Sequence, residues 1–236
     1  MYKLFKNKKI DKENYQKEKG FTMAELIVVI GIFTILTAVT VFNYGRFNNN
    51  IIMTNMAYEI ALSIREAQVY SLGVRGSDNK FDTRYGVYFN VGNTGEGSQD
   101  FVFFADRNSS GKCEIDDRDE NSDTCSINAC IDGANNECEN LNTLTRGINI
   151  TEICVSETGN PIQLDEEQPN FGECVYSPVT EAAITFQRPN PNAFVSDIST
   201  NTEFKNAAII IEANNDAKRA IYIRENGQIS VEFINN

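Results

Sequence analysis

From Leu26 to Gly45 the chain carries no charged residue and no proline, and Val28, Val29, Ile30, Ile32, Phe33, Ile35 and Leu36 fill most of the first half of that run. Roughly 20 apolar residues at about 1.5 Å each cross the hydrocarbon core of a bilayer, so the run predicts a membrane helix. The pattern then changes without a break. Met53, Met56, Ala57, Ile60, Ala61, Ile64 and Ala67 recur at three- and four-residue spacing, with Asn55, Glu59, Ser63 and Gln68 largely elsewhere. One apolar face at helical period predicts that the helix continues and lays this face on a soluble domain. Gly73 and Gly76 supply the stop. The predicted helix therefore runs from about Phe21 to about Leu72, roughly 78 Å, with Gly45 and Asn48 to Asn50 as its weakest point.

Beyond Gly76 the period shortens to that of strands. Tyr85 to Val91 and Phe101 to Ala105, joined by the glycine-rich stretch Gly92 to Gly97, predict a hairpin. Further strands are expected at Ile148 to Val155, Ala182 to Phe186 and Ala207 to Ile211, and a last hairpin at Ala220 to Arg224 and Gln228 to Phe233 around Asn226-Gly227. In the final strand Ile229, Val231 and Phe233 alternate with Ser230 and Glu232, which predicts one buried and one wet face. The fold class expected is α+β: a long N-terminal α-helix, membrane half plus amphipathic half, packed on a mostly antiparallel β-sheet domain that can fold into two layers.

Charge orients this arrangement. Met1 to Gly20 holds seven lysines against three acids, a bias that keeps this end in the cytoplasm and sends the C-terminal mass outside. Beyond Gly20 remain 14 basic and 30 acidic residues, a net charge of -16. Such a balance disfavours nucleic acid, whose binding rests on cationic contacts to phosphate. Histidine is absent, so a Ser-His-Asp constellation is excluded, and paired carboxylates occur only in a loop-like stretch. No enzyme is expected.

A secretory signal would be cut after its apolar stretch, whereas here the distinctive residues precede it. Residues 19 to 25 read Lys-Gly-Phe-Thr-Met-Ala-Glu. Gly20, Phe21 and Glu25 match the hallmark of the prepilin class, and the chain resembles type IV pilins and the pseudopilins of type II secretion. The resemblance implies cleavage between Gly20 and Phe21 by a prepilin peptidase, N-methylation of Phe21, and neutralisation of the new amine by Glu25 of a neighbouring subunit, which sets register during assembly. A carboxylate in a membrane segment is costly and usually has a partner or a function, in keeping with that role; a solvated side chain at the interface is the alternative. A helical segment from Ala57 to Leu72 with Arg65-Glu66-Ala67 near its end, ahead of a β-rich domain, looks like the H-type minor pseudopilins and related minor pilins. Phe42 stands where many pilins have proline.

This resemblance divides the chain into a cleaved cytoplasmic leader (1–20), a transmembrane and filament-core helix (21–45), its amphipathic continuation (46–76) and an extracytoplasmic β-rich domain (77–236) with an acidic, cysteine-rich insertion over 112–142. It implies a minor pilin or pseudopilin, single-pass in the inner (cytoplasmic) membrane and then part of a periplasmic or extracellular filament. Its partners would be other pilin or pseudopilin subunits through the N-terminal helix, the prepilin peptidase and the assembly platform protein. A pilus-displayed adhesion module and an uncleaved membrane-anchored domain are the other two readings.

Cys113, Cys125, Cys130, Cys138, Cys154 and Cys174 all follow the membrane segment, in a compartment where disulfides persist. Six cysteines allow 15 connectivities. A zinc set of Cys125, Cys130 and Cys138 lacks the tighter pairs and histidines such sites use, and disulfides are the favoured reading. Asp106, Asn108, Ser110, Lys112 (through its carbonyl), Glu114 and Asp117 have the spacing of a calcium loop, with Gly111 at the sixth position. A solvated turn rich in Asp, Asn, Ser and Gly accounts for the same residues. No other cofactor is implied.

Overall fold

The computed structural model describes residues 20–73, 83–91, 97–107, 113, 137–157, 162, 174, 178–213 and 217–234, apart from the side chains of 42–47. The chain divides into two compact units, Met1–Gly45 and Arg46–Asn236. Helix α1 (Met23–Leu72) begins in the first unit and ends in the second. It starts two residues later than the apolar pattern suggests, because Thr22 caps it. It stops at Gly73, whose N–H closes the last turn on the Val69 carbonyl at 2.9 Å.

The second unit holds eleven strands among the described residues: β1 (Arg84–Asn90), β2 (Asp100–Asp106), β3 (Cys138–Thr143), β4 (Ile148–Ser156), β5 (Pro178–Val179), β6 (Glu181–Gln187), β7 (Asn190–Asp197), β8 (Thr202–Phe204), β9 (Asn206–Ala213), β10 (Lys218–Ile223) and β11 (Ile229–Ile234). They form a six-stranded sheet, β3-β2-β1-β6-β7-β8, and a five-stranded sheet, β11-β10-β9-β4-β5. Every pairing between them is antiparallel. The α+β architecture expected from the sequence is present, and its strands form two sheets.

One apolar cluster unites three surfaces. Met53, Ala57, Ile60, Ile64 and Ala67 of α1 are completely buried against Tyr85, Val87 and Phe89 of β1 and Ile209, Ile211, Ile221 and Ile223 of β9 and β10. Alanines at positions 57 and 67 let the helix approach closely while the isoleucines fill the space between. Two further buried residues on this side of the helix are polar, against the expectation that Gln68 lies elsewhere. Gln68 Nε2 donates to the carbonyls of Pro191 (2.9 Å) and Gly227 (3.2 Å), and Arg65 donates to its Oε1. The Ser71 hydroxyl accepts from the Tyr85 N–H at 2.8 Å. Both side chains are buried with their polar atoms bonded to backbone groups of the sheet unit.

The last hairpin forms around a three-residue loop, Glu225, Asn226 and Gly227, closed by Arg224 N–H to the Gln228 carbonyl at 3.0 Å. Gly227 has φ of 77°, and a Cβ there would overlap the Pro191 carbonyl oxygen. Only glycine meets both demands. The alternation in β11 does not bury a full face: Ile229 and Val231 are half-buried and Phe233 is 58% exposed. β11 is the outermost strand of its sheet, so its inward side chains have neighbours on one flank alone. The sequence pattern also does not predict β3, β5, β7 or β8, and β3 lies across the end of the segment read as an insertion.

Candidate functional site

Gly20 and Phe21 precede the helix, and Phe21 is 86% exposed. Thr22 is the N-cap. Its hydroxyl accepts from the Glu25 N–H at 3.3 Å, while Glu25 Oε2 accepts from the Thr22 N–H and from the Thr22 hydroxyl, each at 2.9 Å. This is a capping box: two orphan N–H groups of the first turn are satisfied reciprocally, and the carboxylate sits at the positive end of the helix dipole. Glu25 thus has a partner within its own chain. The Thr-x-x-Glu signature was legible in the sequence, but the role of Thr22 becomes plain only in the geometry.

From Met23 to Val41 the helix is long and apolar enough to cross a membrane, and none of this stretch is buried. A core helix of a soluble domain would be covered, so the exposed surface calls for lipid or other helices. Its polar side chains fold inward. Thr34 donates to the Ile30 carbonyl at 2.8 Å, Thr37 to that of Phe33 at 2.7 Å and Thr40 to that of Thr37 at 2.8 Å, which leaves an outer surface of methyl and methylene groups.

In the second unit α1 shows apolar side chains on the face turned away from the sheets. Ile51, Tyr58, Leu62 and Val69 are 43%, 52%, 67% and 57% exposed. Their spacing of seven, four and seven residues brings them within an arc of about 40° around the helix, at about 100° per residue. In the sequence this second stripe is overshadowed by the stronger buried one.

Of the six calcium-loop positions, Asp106 ends β2 completely buried, and Asn108, Ser110, Lys112, Glu114 and Asp117 lie outside the described residues. Cys154 and Cys174 form a disulfide with Cα atoms 5.4 Å apart. Cys113 and Cys138 are each disulfide-bonded, and no described cysteine is free. Cys138 is thereby removed from a zinc set; Cys125 and Cys130 lie outside the described residues. The Glu152 carboxylate comes within 4.8 Å of the Cys154 and Cys174 sulfurs. With both sulfurs in the disulfide, that carboxylate acts as an acceptor for the Cys174 N–H at 3.1 Å.

No curated protein and no solved structure matches the chain. Residues 15–41 match the family model described as the prokaryotic N-terminal methylation motif. That stretch takes in Gly20, Phe21, the Thr22–Glu25 capping box and all of the exposed apolar helix from Met23 to Val41, and a type IV prepilin-like motif at this place supports the prepilin and pseudopilin class for the chain.

Proposed function

We propose that this chain is the precursor of a minor pilin or pseudopilin, cut between Gly20 and Phe21 by a prepilin peptidase, methylated at Phe21, and built into a filament through α1. The observation that carries the reading is the methylation motif placed directly on a fully exposed apolar helix. That helix has two uses with one surface: in the bilayer it meets lipid, and in a filament it meets the helices of neighbouring subunits. The outward stripe of Ile51, Tyr58, Leu62 and Val69 supports the same reading, since it extends apolar contact surface along the part of α1 that carries the folded unit. The role is structural rather than catalytic.

The capping box suggests how Glu25 keeps its charge satisfied before assembly. In the single chain it is held by Thr22; in a filament the amine created at Phe21 of a neighbour is a stronger, oppositely charged partner. Mass spectrometry of the N-terminus from the native membrane tests the processing step, with a chain beginning at methylated Phe21 as the expected result. A chain beginning at Met1 would remove the filament reading. Glu25→Ala is expected to leave the protein in the membrane and reduce its incorporation into filaments, measured as the ratio of sheared to membrane-bound protein. Wild-type incorporation of that variant would defeat the register role.

A further inference from the structure

Arg219 lies on the inward side of β10, in register between Ile211 of β9 and Phe233 of β11. It is 6% exposed. Its Nη1 donates to the Lys218 carbonyl at 2.7 Å, its guanidinium lies over the Phe233 ring at 4.2 Å, and its Nε has no partner. Among the described residues no carboxylate lies within ion-pair distance of it; the neighbouring Glu212 is taken by Lys218 at 3.6 Å. A cation withdrawn from water without an anion is costly, and folded proteins rarely leave one so.

β11 supplies the second observation. The Arg224 N–H to Gln228 carbonyl bond fixes the phase of the β10–β11 ladder. Hydrogen-bonded and non-hydrogen-bonded pairs alternate along an antiparallel ladder, so Ile229, Val231 and Phe233 turn their N–H and C=O groups away from β10. Those groups line the outer edge of the sheet. The other sheet edges are blunted: β5 has two residues, β8 has three, and β3 is polar and meets β2 through a register shift. β11 has six residues, Ile-Ser-Val-Glu-Phe-Ile, with no proline, no lysine and no shift. Such an edge is a template for a further strand.

The two observations meet at Phe233. The guanidinium reaches from β10 to lie over the ring of Phe233 on β11, the strand at the open edge, so a side chain on a further strand opposite Phe233 would come next to it. We propose that β11 is a docking edge for an extended segment of another protein chain, and that an aspartate or glutamate of that segment, set opposite Phe233 on the inward side, pairs with Arg219. The added strand would satisfy the outward backbone groups of β11 and its side chains would cover Phe233. The carboxylate would give Arg219 the anion it lacks, so main-chain bonding supplies attachment and Arg219 selects the sequence.

The test uses the full-length chain in its native membrane with Phe233→p-benzoylphenylalanine, irradiated, digested and read by mass spectrometry. The expected product joins position 233 to a peptide of another chain with Asp or Glu within two residues of the link. Adding Arg219→Met should lower its yield at least tenfold, and Arg219→Lys should retain part of it. Arg219→Met alone should leave the melting temperature of the folded unit unchanged or raised, since it deletes an unmatched buried charge; a purely structural Arg219 would lower it. A link to lipid, a link to peptides without a carboxylate, no link, or a yield indifferent to Arg219→Met overturns the proposal. The inference does not depend on prepilin processing: a chain methylated at Phe21 that gives no link refutes the docking edge alone, and an uncut chain that gives the link refutes the filament reading alone.

Discussion

Asp197 ends β7 with almost no exposure, and its carboxylate organises the turn into β8. Oδ1 accepts from the Ser199 N–H at 2.9 Å and the Ser199 hydroxyl at 2.7 Å, and Oδ2 accepts from the Thr200 hydroxyl at 2.6 Å. Burial pushes the pKa of this group up, but the hydrogen bonds from Thr200 and Ser199 outweigh it and hold the carboxyl below its ordinary value. A group whose pKa is lower folded than unfolded adds stability above the unfolded value, about 3.9 for aspartate, and loses that contribution as pH falls through the folded value. Asp197→Asn should therefore melt below the wild type at pH 6, and the gap should narrow as melting is followed down to pH 3. A gap constant over that range would place the effect in packing rather than in the charge. Glu25 is the contrasting case among the acids: its local partner, Thr22, lies on an exposed first turn.

At the scale of elements, the two faces of α1 in the second unit predict opposite responses. Ile60 and Ile64 are completely buried, and truncating either to alanine creates a cavity worth about 2–5 kcal/mol. Leu62, 67% exposed, touches the core from neither side. Leu62→Glu should change stability by no more than about 0.5 kcal/mol, within the range of surface substitutions, yet reduce incorporation into filaments. Wild-type incorporation with unchanged melting would show that the outward stripe has no packing role. The buried stripe was legible because five apolar positions repeat at helical spacing; Gln68 and Ser71 were not, because their burial depends on carbonyl and N–H groups that only the fold brings to them. β1, β2, β4, β6, β9 and β10 were legible because their apolar residues run on or alternate at the strand period. β7 opens on Asn-Pro-Asn, which reads as a loop, and β3, Cys-Glu-Asn-Leu-Asn-Thr, has no apolar period because neither of its faces is fully covered. β11 was found as a strand, but its burial was not, since alternation marks the two sides of a strand without saying whether anything lies over its end.

The whole molecule is an acid-dominated chain that must cover two sheets on both sides. α1 and the inward faces cover one another, and each outward face carries a buried apolar cluster of its own. Tyr88, Val102, Phe104, Ala183 and Ile198 on the outside of the six-stranded sheet are buried together with Cys113, and Cys138 packs beside them. Ala208 and Ile210 on the outside of the five-stranded sheet are buried with Cys154, with Ile162, Cys174, Tyr222 and Ile234 packed against them. Each outward cluster therefore contains disulfide-bonded cysteines. The sequence around these cysteines is rich in Asp and Glu, in a chain whose net charge beyond Gly20 is -16, so repulsion between like charges works against compaction. A crosslink resists this in two ways: it removes loop entropy from the unfolded chain, and it holds like charges together in the folded one. Cys154→Ala with Cys174→Ala, which opens a bridge 20 residues apart in sequence, should cost about 3 kcal/mol by the entropic term. That term is indifferent to salt, whereas repulsion between exposed acids is screened over about 10 Å at 0.1 M and about 3 Å at 1 M. The melting deficit of the double variant is accordingly expected to shrink, without vanishing, when salt is raised from 0.05 to 1 M (about 14 to 3 Å of screening). A deficit independent of salt would assign the whole effect to the unfolded chain; a deficit abolished by salt would assign it to the acids that the disulfide restrains.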